Sequence, residues 1–145
     1  MANKLSEITK TIMAVKPDSY AAGTYYNGAA DTSAVGLDVR GYNEVLVVLT
    51  NGDTQTVGTN TVTIVGTNSS TVSGSECSAI SGAAFTVVTS ANDNAVQIAN
   101  LNVPYDYLAV KSVVATSASE FGCIIIASEP DSKPAADIAS VVFNV

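Results

Sequence analysis

From Gly41 to Val110 the chain is built of short runs of Val, Ile, Thr and Ala broken by Gly, Asn and Ser, with no Lys or Arg in all seventy residues. Runs of β-branched residues between turn formers specify strands and tight turns, and no long helical pattern competes with them. Val35, Leu37 and Val39 alternate with Gly36, Asp38 and Arg40 before Gly41 breaks the run. Glu44 to Thr50 is almost continuously apolar, as expected of a strand covered on both faces. Asn51-Gly52-Asp53 then carries the clearest hairpin-turn chemistry in the chain.

Thr61 to Thr67 alternates cleanly, with Val62 and Ile64 on one face. Cys77 to Ile80 and Ala84 to Thr89 read as two strands separated by Ser81-Gly82. Ala91 to Asn94 is a polar turn, and Ala95 to Leu101 and Tyr105 to Ala115 are strands around Asn102-Val103-Pro104. After a turn at 116–120, Phe121 to Ala127 reads as a central strand buried on both faces. Gly58, Gly66, Gly74 and Gly82 recur every eight residues, but Ser90 and Ile98 end the series. Strand-end turns explain that spacing better than a solenoid does.

The ends read differently. Leu5, Ile8, Ile12 and Val15 fall at helical spacing, while Ile8 and Ile12 also share one strand face with Ala14. Pro17 should end this segment, which is taken as an edge strand or a docking arm. Residues 17–33 carry turn chemistry, with a brief strand at Tyr25 and Tyr26 before Asn27-Gly28. Glu129 to Asp137, with Pro130 and Pro134, reads as a linker, and Ile138 to Val145 as a last extended segment. The expected organisation is a single all-β domain, an antiparallel β-sandwich or jelly-roll-like barrel. It has an arm or edge strand at 1–16, a core at 17–128, and a linker with a C-terminal strand at 129–145.

Charge and composition narrow the function classes. Thirteen acids against six bases give a formal charge of −7, unsuited to a nucleic-acid backbone or an anionic membrane surface. Charged residues are 13% of the chain against an average of about 25%. Such uncharged surfaces suit protein contacts, because few ions must be desolvated there. Met1 to Val15 shows neither a continuous apolar core nor a small-residue cleavage site, so synthesis and residence in a reducing cytoplasm are expected. Cys77 and Cys123 fit no metal spacing and are expected to be reduced, buried thiols.

No chemistry is announced. The chain has no His, which removes imidazole-based triads and the common zinc sets. Neither a P-loop nor a dinucleotide fingerprint occurs. Glu44, Glu76 and Glu120 are the carboxylates best placed for acid–base work, but the sugar platforms that accompany such pairs are scarce in a chain with no Trp and 6% aromatics. Asn92, Asp93 and Asn94 could offer oxygens to calcium, though plain Asx-turn capping accounts for them better. Asn68-Ser69-Ser70 matches a glycosylation acceptor and is read as incidental. The six tyrosines could anchor an interface, while Tyr105 and Tyr107 fit packing at a sheet edge.

The order of features from Val35 to Ala127 resembles that of small virion structural proteins of tailed bacteriophages. The resemblance is carried by Val-Gly-Leu-Asp-Val-Arg-Gly-Tyr-Asn-Glu-Val-Leu-Val-Val-Leu at 35–49 and Ser-Gly-Ala-Ala-Phe-Thr at 81–86. Ala-Asn-Asp-Asn at 91–94 and Tyr-Leu-Ala-Val-Lys-Ser-Val-Val-Ala-Thr at 107–116 complete it. It implies a non-enzymatic capsid decoration or cement protein on the virion surface, with the major capsid protein as partner and a homo-oligomer, foremost a trimer, as assembly. It implies no cofactor and no catalytic or metal residues. Ile8, Ile12, Val141 and Phe143, in the two apolar ends, are the expected partner-binding residues, adding a strand to a neighbouring sheet. The alternative is a tail- or fibre-associated carbohydrate- or receptor-binding module, which would need Tyr105, Asp106 and Tyr107 to converge near Asn102.

Overall fold

The computed structural model describes residues 9–30, 34–54, 57–72 and 77–130. Among them the strands are β1 (Lys10–Tyr20), β2 (Gly23–Tyr26), β3 (Ala29–Ala30), β4 (Ala34–Val35), β5 (Leu37–Asp38) and β6 (Tyr42–Thr54). They continue as β7 (Thr59–Thr67), β8 (Thr71–Val72), β9 (Ser78–Ala84), β10 (Val88–Thr89), β11 (Val96–Asn102), β12 (Tyr107–Ala115) and β13 (Ser119–Pro130). Two main sheets form, one of four strands in the order β1-β13-β6-β11, the other of seven built along β10-β7-β12-β2-β3 with β5 on β12 and β9 on β7. Every pairing is antiparallel. The expected β-sandwich is what the chain forms.

Alternation places one face of each sheet in the core. From the four-stranded sheet come Val15, Val45, Val47, Leu49, Leu101, Phe121, Cys123, Ile125 and Ala127, and from the other Val62, Ile64, Leu108, Val110 and Val114, in one buried cluster. The outer face of the larger sheet has its own cover. The β4–β8 pair lies over it, enclosing Tyr26, Ala34, Val65, Val72 and Ala109. Asn27 ties this layer down: its Oδ1 accepts from the Val110 N–H at 2.8 Å and its Nδ2 donates to the Val35 carbonyl at 2.8 Å. With φ of 51° and 75°, Asn27 and Gly28 turn β2 into β3 as expected of that dipeptide.

Three punctuation marks in the sequence serve other ends. Asn51-Gly52 is not a turn, because β6 runs straight through it to Thr54. Here the pairing with β13 slips, Ser119 facing Thr54 but Phe121 facing Asn51, so the glycine sits in a bulge. A Cβ at Gly52 would meet Glu120 Oε2 at 2.9 Å, so Glu120 would have to shift to admit one. Pro17 likewise does not end β1; it lies within the second of two register shifts, between Val15 and Asp18, on an edge strand that continues to Tyr20, where a missing N–H is tolerated. Its ring fills the space that a Cβ on Gly122 would need, 2.8 Å away. Ser81-Gly82 is a bulge within a single β9, with Gly82 at φ 76°, and not a gap between two strands. The strand β13 also extends to Pro130, beyond the expected start of a linker at Glu129.

Leu49→Ala should cost about 2–5 kcal/mol in urea unfolding, since the side chain is fully enclosed and leaves a cavity. Ile98→Ala, on the opposite face of the same sheet, should change the midpoint little.

Candidate interaction surface

The outer face of the four-stranded sheet has no cover among the described residues. Its pairing register sets Met13 opposite Ile124, Ile124 opposite Val48, and Val48 opposite Ile98. One apolar row therefore crosses all four strands, a span of ~14 Å at the usual strand spacing. Met13 and Ile98 at its ends are each 64% exposed and Ile124 is 38% exposed. Thr11, Ile126, Leu46 and Asn100 form the next row, and Gly122, Thr50 and Val96 lie on the other side. Met13, Val96, Ile98 and Ile124 are half of the eight large apolar side chains that the described residues expose, so the exposure is concentrated here.

Toward one end, the face dips into a depression of about 530 Å³ whose lining includes Pro17, Asp18, Thr50, Gly52, Glu120 and Gly122. Gly52 and Gly122 both line it, the first beside Glu120 and the second beside Pro17. Glu44 sits at the other end, paired with Ser128. Eight residues of β13 separate Ser128 from Glu120, ~26 Å of strand, so these two carboxylates lie too far apart for an acid–base pair. Glu76 lies outside the described residues.

Of the expected partner-binding residues, Ile8, Val141 and Phe143 also lie outside the described residues. Ile12 is half-buried, opposite Ile125, and packs on the core cluster. The exposed apolar side chain on that strand is its neighbour Met13. No sequence signal singles out the Met13–Ile98 row, because it exists only once four strands are in register.

The tyrosines divide. Tyr105 and Asn102 do share a cleft of about 540 Å³ with Asn100, Ser81, Ile80 and Leu101, beside β11 and β9. Tyr107 is elsewhere, against Gly36 and with the Arg40 guanidinium 5.2 Å from its ring centre. The turn at 91–94 is held by its own amides and carboxylate. Asn92 Oδ1 accepts from the Thr89 N–H at 2.6 Å, and Asp93 Oδ2 accepts from the Thr54 N–H at 3.1 Å.

Asp38 and Cys123 have displaced proton affinities. Arg40 grips Asp38 through both guanidinium contacts, 2.7 and 3.0 Å, and this holds the carboxyl down at about 2. Burial pushes the Cys123 thiol up to about 12. Neither cysteine is in a disulfide, as expected, but Cys77 is only half-buried where full burial was expected.

Comparison with solved structures supports the fold. PBSX exported protein XepA aligns over the whole of this chain with a TM-score of 0.54 and 12% identity, and the alignment covers 45% of that protein. The infectious bursal disease virus VP2 subviral particle aligns over 85% of this chain at a TM-score of 0.43 with 13% identity, covering 32% of that chain, a likeness too low to carry a fold assignment. The chain thus spans less than half the length of either structure. No family model and no curated protein matches it.

Iodoacetamide at pH 8 should modify Cys77 in the folded protein and spare Cys123 until denaturant is added, as mass spectrometry would show. The Asp38 contribution to stability is present above the ordinary carboxylate range and is lost as pH falls through about 2. Acid unfolding of Asp38→Asn should accordingly depend less steeply on pH below about 4 than that of the parent.

Proposed function

We propose that this chain is a structural protein of a tailed-phage virion, a decoration or cement protein that lies on the head and binds the major capsid protein. The observation that carries the reading is the bare apolar row Met13–Ile124–Val48–Ile98. The larger sheet covers its own outer face with β4 and β8, whereas the described residues leave this one open. A surface poor in charge can be desolvated many times over a lattice at low cost per contact. The fold shared with PBSX exported protein XepA is compatible with such a role. Assembly as a homo-oligomer, foremost a trimer, belongs to the same proposal, as does a virion-surface location. The carbohydrate-binding alternative finds less support, because Tyr107 is engaged with Arg40 and does not join Tyr105.

Co-sedimentation with preformed empty heads tests the reading. The parent protein should pellet with heads, and Met13→Glu/Ile98→Glu should fold normally yet lose at least about tenfold in occupancy, since each new carboxylate would have to be desolvated at the contact. A parent protein that stays in the supernatant, or a double variant with undiminished occupancy, rejects it.

A further inference from the structure

The four-stranded sheet has two edges, and they are unequal. On β1 the edge carries Lys16 and is interrupted by two register shifts, the second of which holds Pro17, devices that discourage pairing. On β11 there are none: Val-Gln-Ile-Ala-Asn-Leu-Asn has no charge and no proline, and its register with β6 is unbroken from Val96 to Asn102. The Asn51 N–H donates to the Ala95 carbonyl and the Val103 N–H to the Asn43 carbonyl. By antiparallel alternation, the odd-numbered residues of β11 therefore bond to β6. The N–H and C=O groups of Val96, Ile98, Asn100 and Asn102 point away from the sheet, along an edge that no other strand of the described residues occupies.

We infer that the partner of this edge is β11 of a second copy of the chain, paired antiparallel about a two-fold axis at Ile98. An isologous contact needs a strand that is its own complement, and β11 meets that condition. It brings no like charges together. About this axis Ile98 faces Ile98 of the second copy, while Val96 and Asn100 face that copy's Asn100 and Val96. All of these residues turn their N–H and C=O groups outward, so each pair exchanges both of its hydrogen bonds. Side chains choose this axis over its neighbour. Moved to Ala99, it would set Ile98 against Asn100 and Val96 against Asn102. At Ile98 it joins two apolar side chains across the seam, the more favourable cross-strand pair. Ile98 is 64% exposed in the single chain. In the pair, the row Met13–Ile124–Val48–Ile98 runs on into Ile98, Val48, Ile124 and Met13 of the second copy, on one face of a continuous sheet. Growth ends there, because the edges that remain are two copies of β1, guarded by Lys16 and Pro17.

This contact gives the homo-oligomer of the proposed function an interface but does not rest on head binding, and its test contains no heads. In sedimentation equilibrium the full chain should hold an even number of copies, two where this contact acts alone and six where a threefold joins three such pairs. Asn100→Pro removes an outward N–H and leaves the β6 ladder and the apolar row intact, so it should fold yet halve the mass. Ile98→Lys sets like charges opposite each other at the axis and should halve it too, and it serves if the proline variant does not fold. In residue-resolved hydrogen exchange the amides of Val96, Ile98 and Asn100 should be protected in the parent and exchange at least tenfold faster once dilution separates the pairs. Asn102, beyond the ladder, should exchange fast throughout. The inference is overturned by a parent that sediments as a monomer or a trimer, or by a folded Asn100→Pro of undiminished mass. Protection that persists after dilution, or that extends to Asn102, also overturns it. Because Asn100→Pro keeps Met13 and Ile98, its occupancy on heads measures the apolar face separately.

Discussion

The central antiparallel pair β6–β13 is the constraint on which the sandwich depends. Val45, Val47 and Leu49 face inward from one strand, and Phe121, Cys123, Ile125 and Ala127 from the other, all buried. Because Leu46, Val48, Ile124 and Ile126 make the opposite face apolar too, hydrophobic pattern alone would not penalise a one-residue slip. Register must be fixed by shape. The Pro17 ring packs on Gly122 of β13, and Glu120 lies beside Gly52 of β6. At the bulge, the buried Thr54 and Ser119 hydroxyls meet at 3.0 Å, a pair that a slip would break.

The same pair explains how much of this fold is legible from sequence. Strand identity is legible, since period-2 alternation and β-branched content locate nearly every strand from Val35 onward. Strand continuity is not. Asn51-Gly52, Ser81-Gly82 and Pro17 carry the chemistry of chain reversal, and the same residues are what a bulge or an edge strand requires. Local sequence does not separate the two uses. The choice is made by a distant residue, Glu120 for Gly52 and Gly122 for Pro17, that no window around the turn contains.

The candidate surface was hidden for a related reason. Glu44 to Thr50 and Phe121 to Ala127 read as strands covered on both faces, and in composition they are such strands. In the described residues only the inner face is covered: Ile124 remains exposed and Val48 half so. Ile12 reads as a contact residue from its apolarity, yet opposite Ile125 it packs on the core cluster, and Met13 is the exposed neighbour. Which of two adjacent apolar residues faces a partner is a matter of register. Register here is set by tertiary contacts.

Face and edge are physically coupled through β11. Ile98 contributes its side chain to the exposed row and its backbone groups to the open edge. Along that edge β11 presents an uninterrupted template for edge-to-edge pairing, distinct from the apolar face. For the proposed role on a capsid lattice the two features differ in consequence: an apolar face binds a complementary surface and stops, whereas a bare edge strand recruits further copies, without limit where both edges are bare. The low charge density that makes the face cheap to desolvate also leaves β11 without a charged side chain to discourage pairing along its edge.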